Sequence, residues 1–126
     1  MIVDCFKSNY SLAEQCWRHV QDENIEGVGE CLSQYWNIKK TLAPGAEPLL
    51  VKNILQTLDP FIIGGSLAGA GGGGFMTAVL KDGVDKDMVV ERVRRMEGTE
   101  RLTFHTVSVD REGLSVSVGE ENVIIK

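Results

Sequence analysis

At 126 residues the chain has room for one compact domain spanning 1–126 and little more. Apolar residues at 43% and charged residues at 25% exclude a disordered chain, and no apolar run reaches the ~18 residues of a membrane span. Thirteen Lys plus Arg against eighteen Asp plus Glu give a net charge of -5, the wrong sign for a domain that holds nucleic acid or an anionic membrane by charge. Cys5, Cys16 and Cys31 are odd in number and too widely spaced for a metal knuckle or a redox pair, so they read as reduced thiols. With no leader-like apolar core in the first ten residues, the expectation is a cytoplasmic protein.

The first third has a helical period. Ser11-Leu12-Ala13-Glu14 fits a capping box and predicts a helix start there, with Leu12, Cys16 and Val20 on one face. Residues 22–29 are polar with two glycines and predict a break. A second helix follows, with Val28, Leu32, Tyr35 and Leu42 along its stripe, ended by Pro44-Gly45. Pro48 opens a third helix whose inner face is Leu50, Ile54, Leu55 and Leu58, and Asp59-Pro60 stops it.

Beyond residue 60 the pattern turns to short β-like runs. Residues 61–68 are apolar but broken by glycine and predict one short irregular strand; residues 75–81 predict a central strand ended by Asp82-Gly83. Asp85 is placed to cap a fourth helix with Val89, Val93 and Met96 inward and Arg94 and Arg95 at its negative end; Gly98 closes it. Residues 102–110 and 114–118 predict a hairpin turning at Arg111-Glu112-Gly113, with Leu114 and Val116 alternating with Ser115 and Ser117. The sum is an α+β domain with a small, mostly antiparallel sheet covered by helices.

Seven of the fourteen glycines lie between Gly64 and Gly74, and that clustering needs a cause. Residues 69–74 formally fit GxGxxG, but a dinucleotide site requires the run to open a helix and an acidic residue about twenty positions on. Here the run leads into a predicted strand, and Arg92, Arg94 and Arg95 occupy those later positions. A P-loop needs lysine after its last glycine, where this chain has Phe75. A flexible linker is the bland alternative, although apolar segments flank the run closely. The other reading is a tight strand-loop-strand connection whose bare backbone permits positive φ and close approach by phosphate or another loop.

Ser66-Leu67-Ala68-Gly69-Ala70-Gly71-Gly72-Gly73-Gly74-Phe75 resembles the third, C-terminal glycine-rich motif of the GHMP small-molecule kinases. Together with Tyr35-Trp36, Lys39-Lys40, Ala43-Pro44-Gly45, Glu47-Pro48, Val109-Asp110 and Gly113-Leu114-Ser115, the series is similar to the C-terminal end of the L-fucose kinases, and more distantly to the heptose-phosphate kinases. The resemblance runs over roughly residues 30–118, most of the chain. It implies a ferredoxin-like C-terminal domain, covalently preceded by a first kinase domain whose own glycine-serine loop, leading into a helix, holds the nucleotide's phosphates. It also implies ATP, Mg²⁺ and a sugar as ligands of the whole enzyme. Carried over, the phosphate end of the cleft falls on Gly69, Ala70, Gly71, Gly72, Gly73 and Gly74. Many relatives have lysine where this chain has Ser66, so a cationic role there is lost.

Phosphoryl transfer needs neutralising cations and usually a base, and this chain alone shows no complete set. His19 and His105 lack motif neighbours, no metal site is visible, and the acids sit on solvated helix faces and turns. Lys39 and Lys40 close the second helix, where dipole compensation competes with substrate contact. Trp36 is a core aromatic or a substrate-side platform. The expectation is an inactive isolated domain of a sugar kinase in fucose salvage, with a face left to self-associate or to meet the first domain. The rival from another class is a non-catalytic ferredoxin-like module that binds a small anion.

Overall fold

A computed structural model describes residues 1–119 and 121–124 of the chain. Its elements, in order, are α1 (Ile2–Gln21), α2 (Ile25–Leu42), a 3-10 turn (Pro44–Ala46), α3 (Leu49–Leu58), β1 (Ile62–Leu67), β2 (Met76–Leu80), α4 (Lys86–Arg94), β3 (Ser115–Val118) and β4 (Glu121–Ile124). The class is α+β as expected, a small two-stranded antiparallel sheet covered by helices, consistent with a small ferredoxin-like domain. Among the described residues no helix is long and apolar enough to cross a membrane.

The first helix begins at Ile2 rather than at Ser11. No glycine or proline interrupts residues 2–21, so the helical period runs back through Cys5 and Asn9, and the Ser11/Glu14 pair falls on an exposed flank mid-helix. The break before α2 is only the turn at 22–24. Asn24 caps α2 by accepting from the Gly27 N–H at 3.0 Å, and the two glycines expected to break the chain lie inside that helix.

Those glycines set how α2 sits. A Cβ on Gly64 of β1 would run into the Gly29 carbonyl oxygen, and one on Gly29 would fall 2.8 Å from Ile63 Cγ2. α2 is buried on two opposite faces, Gly29 and Trp36 toward β1 and Gly27 and Cys31 toward α1, to either side of the stripe predicted through Val28, Leu32, Tyr35 and Leu42. Helix and strand meet backbone to backbone, a separation that side chains would forbid. Cys31 is buried on the other side of α2, beside Cys16 of α1, where desolvation, reinforced by Cys16, pushes its thiol pKa up.

β1 pairs antiparallel with β2, Leu67 opposite Met76 and Ile62 opposite Leu80, with a register shift between Ile62 and Gly64. That irregularity matches the glycine-broken strand expected. On the sheet's other side Ile54 and Leu58 of α3 pack with Ile62, Val89 and Val93. The α3 inner face is as predicted, although Pro48 stands at the cap position, φ -61° and ψ 152°, one step before the first turn. Asp85 caps α4 through the Asp87 N–H, and the Thr99 hydroxyl, buried, donates to the Val93 and Met96 carbonyls at 2.9 and 2.7 Å, closing the helix.

The predicted C-terminal hairpin differs. Residues 102–110 carry no strand, and β3 pairs instead with β4, Val116 opposite Val123, around a turn containing Gly119 at φ +65°. Asp110 accepts from the Glu112 N–H at 2.9 Å, a local Asx turn that ends the 102–110 segment without folding it onto β3. Leu114 and Val116 are exposed, so their alternation with serine reflects no buried face.

Gly64→Ala should destabilise by about 3 kcal/mol or more, because backbone cannot yield as a flexible side chain can, whereas Gly45→Ala, in open space, should cost under about 1 kcal/mol. Urea denaturation of the two variants measures the difference. A thiol with a raised folded-state pKa stabilises the fold below its ordinary ionisation range, and that contribution is lost as pH rises above it. Accordingly Cys31 should alkylate about tenfold more slowly than Cys5 at pH 8, a ratio readable by mass spectrometry.

Candidate functional site

The glycine run is the connection between β1 and β2, as the strand-loop-strand reading required. Its stem is closed by the Ala68 N–H donating to the Phe75 carbonyl at 2.8 Å. Gly69, Gly71, Gly72 and Gly74 have φ of +71°, +88°, +79° and +92°, a region that costs a residue bearing Cβ about 1–2 kcal/mol each. Four left-handed residues in six explain the composition: the chain reverses in a wide, side-chain-free loop.

One point of the loop is fastened. The Gly72 N–H donates to the Ala46 carbonyl at 2.8 Å, and a Cβ on Gly71 would stand 2.8 Å from the Ala46 methyl. Around Gly69, Gly72, Gly73 and Gly74 an added Cβ would meet nothing within 4 Å. Among the described residues, Gly72 alone of 69–74 gives its N–H to a protein acceptor. Successive amides in such a conformation form a concavity of positive potential suited to an anion.

Ala46 is itself held from behind. It packs with Trp36 and Leu67, the residue from which the loop departs. Next along the chain, Glu47 Oε2 accepts from Trp36 Nε1 at 2.7 Å and stands 3.6 Å from Lys40 Nζ. Helix α2 thus reaches the loop through Trp36, Glu47 and Ala46. Trp36 is 3% exposed, so its ring serves the core. Lys40 and Glu47 open onto a cleft of about 450 Å³ between α2, α3 and β1, shared with Asn37, Lys52 and Asp59.

The sequence-predicted residues therefore divide. Gly69, Ala70, Gly71, Gly72, Gly73 and Gly74 form one loop, and Trp36 and Lys40 meet at Glu47 behind it. Lys39 points elsewhere: its ammonium donates to the Tyr35 hydroxyl at 3.2 Å and lies 5.5 Å from that ring's centroid. Ser66 is buried within β1, opposite Thr77. Sequence reasoning treated Glu47 as a helix start only; its spacing of eleven from Trp36 belongs to no helical period and gave no signal of the bond. Among the described residues no group of three or more His, Cys, Asp or Glu is gathered to hold a metal ion.

No family model matches the chain, and no solved structure matches it. It is 27% identical over 82 residues to a bifunctional fucokinase/GDP-fucose pyrophosphorylase of Arabidopsis thaliana, a stretch covering 65% of this chain and 8% of that protein. It is likewise 27% identical over 98 residues to an L-fucokinase/L-fucose-1-P guanylyltransferase of Bacteroides fragilis, covering 78% of this chain and 10% of that protein. These distant matches support a fucokinase-like relationship. The aligned stretches span a tenth or less of the curated relatives.

Glu47→Gln keeps an acceptor for the indole and should cost about 1 kcal/mol, the worth of a long, partly buried ion pair. Glu47→Ala leaves a buried indole N–H unpaired and should cost about 2 kcal/mol. Chemical denaturation of both variants, with Trp36 emission as the probe, separates the two contributions.

Proposed function

We propose that the chain is the C-terminal domain of an ATP-dependent sugar kinase of the GHMP type, which phosphorylates L-fucose to L-fucose 1-phosphate. The observation that carries the reading is the glycine loop, 69–74, with four left-handed glycines, an open outer surface and a single tether to Ala46. The names of the two distant relatives support the choice of L-fucose.

The loop offers backbone donors that fit a phosphate; Mg²⁺ travelling with ATP is held largely by the phosphates themselves and asks for no carboxylate cluster in this chain. ATP, when bound to the whole enzyme, supplies the γ-phosphoryl group. This chain's part is narrower. The loop's amides line the phosphate end of the cleft and stabilise charge there, and their fixed orientation costs no reorganisation. The Trp36–Glu47–Ala46 support keeps the loop at one height above β1 and β2. A first kinase domain of the same polypeptide provides the main nucleotide loop and the base, and the isolated chain turns over no sugar.

The test has two parts. In the polypeptide that carries this chain, L-fucose should drive ADP formation in preference to a heptose phosphate or galactose, and Gly72→Val, which strains the tether to Ala46, should lower kcat/KM by about 10- to 100-fold, the cost of displacing the loop's charge-stabilising donors. For the isolated chain, amide NMR with Mg·ATP, and inorganic phosphate as control, should shift residues 69–74 before any others. A polypeptide that shows no sugar-dependent ADP formation while its isolated domain binds phosphate at the loop would replace the kinase with a small-anion-binding module.

A further inference from the structure

Helix α1 packs on α2 through Cys5, Asn9, Leu12, Cys16 and His19, of which Leu12 alone is fully buried. About 100° round the helix lies a second stripe, exposed along its whole length: Val3, Phe6, Tyr10, Ala13, Trp17 and Val20. Phe6, Tyr10 and Trp17 are 61, 69 and 61% exposed. Isolated exposed apolar residues are ordinary; six along one line of a 20-residue helix, three of them large aromatics, are not.

The spacing is informative. The steps are three, four, three, four and three residues, an unbroken alternation of a and d positions over two and a half heptads. This is the seam of a helix that pairs with another helix. It also matches itself when reversed. Turned end for end about its midpoint, the stripe sets Val3 against Val20, Phe6 against Trp17, and Tyr10 against Ala13, the bulky ring at the centre facing the small methyl. A parallel pairing would instead stack Tyr10 on Tyr10 and leave Ala13 facing Ala13 across a gap.

Charge gives the same answer. Lys7 and Glu14 are the charged residues at the e positions beside the seam, and in an antiparallel pair e faces e. Lys7 of each copy then lies beside Glu14 of the other, and the contact is made twice by symmetry. In a parallel pair they would face Ile2 and Asn9, with no charge to meet.

We infer that the exposed stripe of α1 is a homodimer interface, in which two copies of this chain pair their first helices antiparallel across a two-fold axis. The inference does not depend on the kinase reading. Two and a half heptads make a short seam, at the small end of stable interfaces.

Sedimentation equilibrium of the 126-residue chain from 2 to 200 µM tests it. A shift from the 13.8 kDa monomer to twice that mass is expected across this range. Ala13→Glu places a carboxylate opposite Tyr10 at the centre of the seam and should leave a monomer at every concentration, with unchanged helical circular dichroism. Lys7→Glu alone and Glu14→Lys alone should each weaken the dimer about fivefold or more, and the double exchange should restore it. A monomer at 200 µM overturns the inference and gives the stripe to a different occupant. A dimer unaffected by Ala13→Glu overturns it as well, as does one that loses affinity in neither charge variant, because the helices would then not be antiparallel in this register.

Discussion

The contact on which the rest of the structure depends is the one between bare backbones, Gly29 of α2 against Gly64 of β1. No side chain fits between them, so α2 lies lower on the sheet than an ordinary helix would. This depth has two results. It brings Trp36 down to the end of β1, where it packs with Leu67 and Ala46, and it leaves the far side of α2 to receive α1. Dispersion and desolvation then secure what the glycines allow, chiefly through Ile54, Leu58, Ile62, Val89 and Val93 on the opposite face of the sheet, each worth about 1.5–3 kcal/mol relative to exposure.

From there the position of the loop follows by short steps. Trp36 fixes Glu47 by a 2.7 Å bond, Glu47 adjoins Ala46, and Ala46 holds Gly72 by its carbonyl. An excursion built from glycine would otherwise pay a large entropy for every ligand it met. One tether at its middle and one closing bond at its stem restrict it while leaving its outer amides toward solvent. Stiffness is thus supplied from outside the loop, by an indole and a carboxylate on other elements.

The sequence was legible where local chemistry decides the outcome. Asp85 is a cap wherever it precedes such a helix, the Leu50, Ile54, Leu55, Leu58 period admits one buried face, and a glycine cluster between two apolar runs reads as a strand-loop-strand reversal, though a wider one than the tight connection expected. It was misleading where a tertiary contact gave a residue a different use. Gly27 and Gly29 resemble helix breakers until His19 of α1 is placed against the first and Ile63 of β1 against the second. Ser11 and Glu14 make a good capping box that the uninterrupted periodicity upstream overrides. Residues 102–110 alternate like a strand, yet β3 finds its partner downstream in β4. In the site, the loop itself could be read, but its support could not, because Trp36 and Glu47 are joined across a helix end and a 3-10 turn.

The chain's two tryptophans sit in opposite surroundings. Trp36 is enclosed beside the glycine loop and hydrogen-bonded to a carboxylate, while Trp17 stands on the open stripe of α1. Their emission is therefore resolved by environment, the first blue and slow to quench, the second red and open to iodide or acrylamide. The molecule carries two built-in optical reporters, one for events at the loop and one for whatever covers the first helix, and each can be followed without a label.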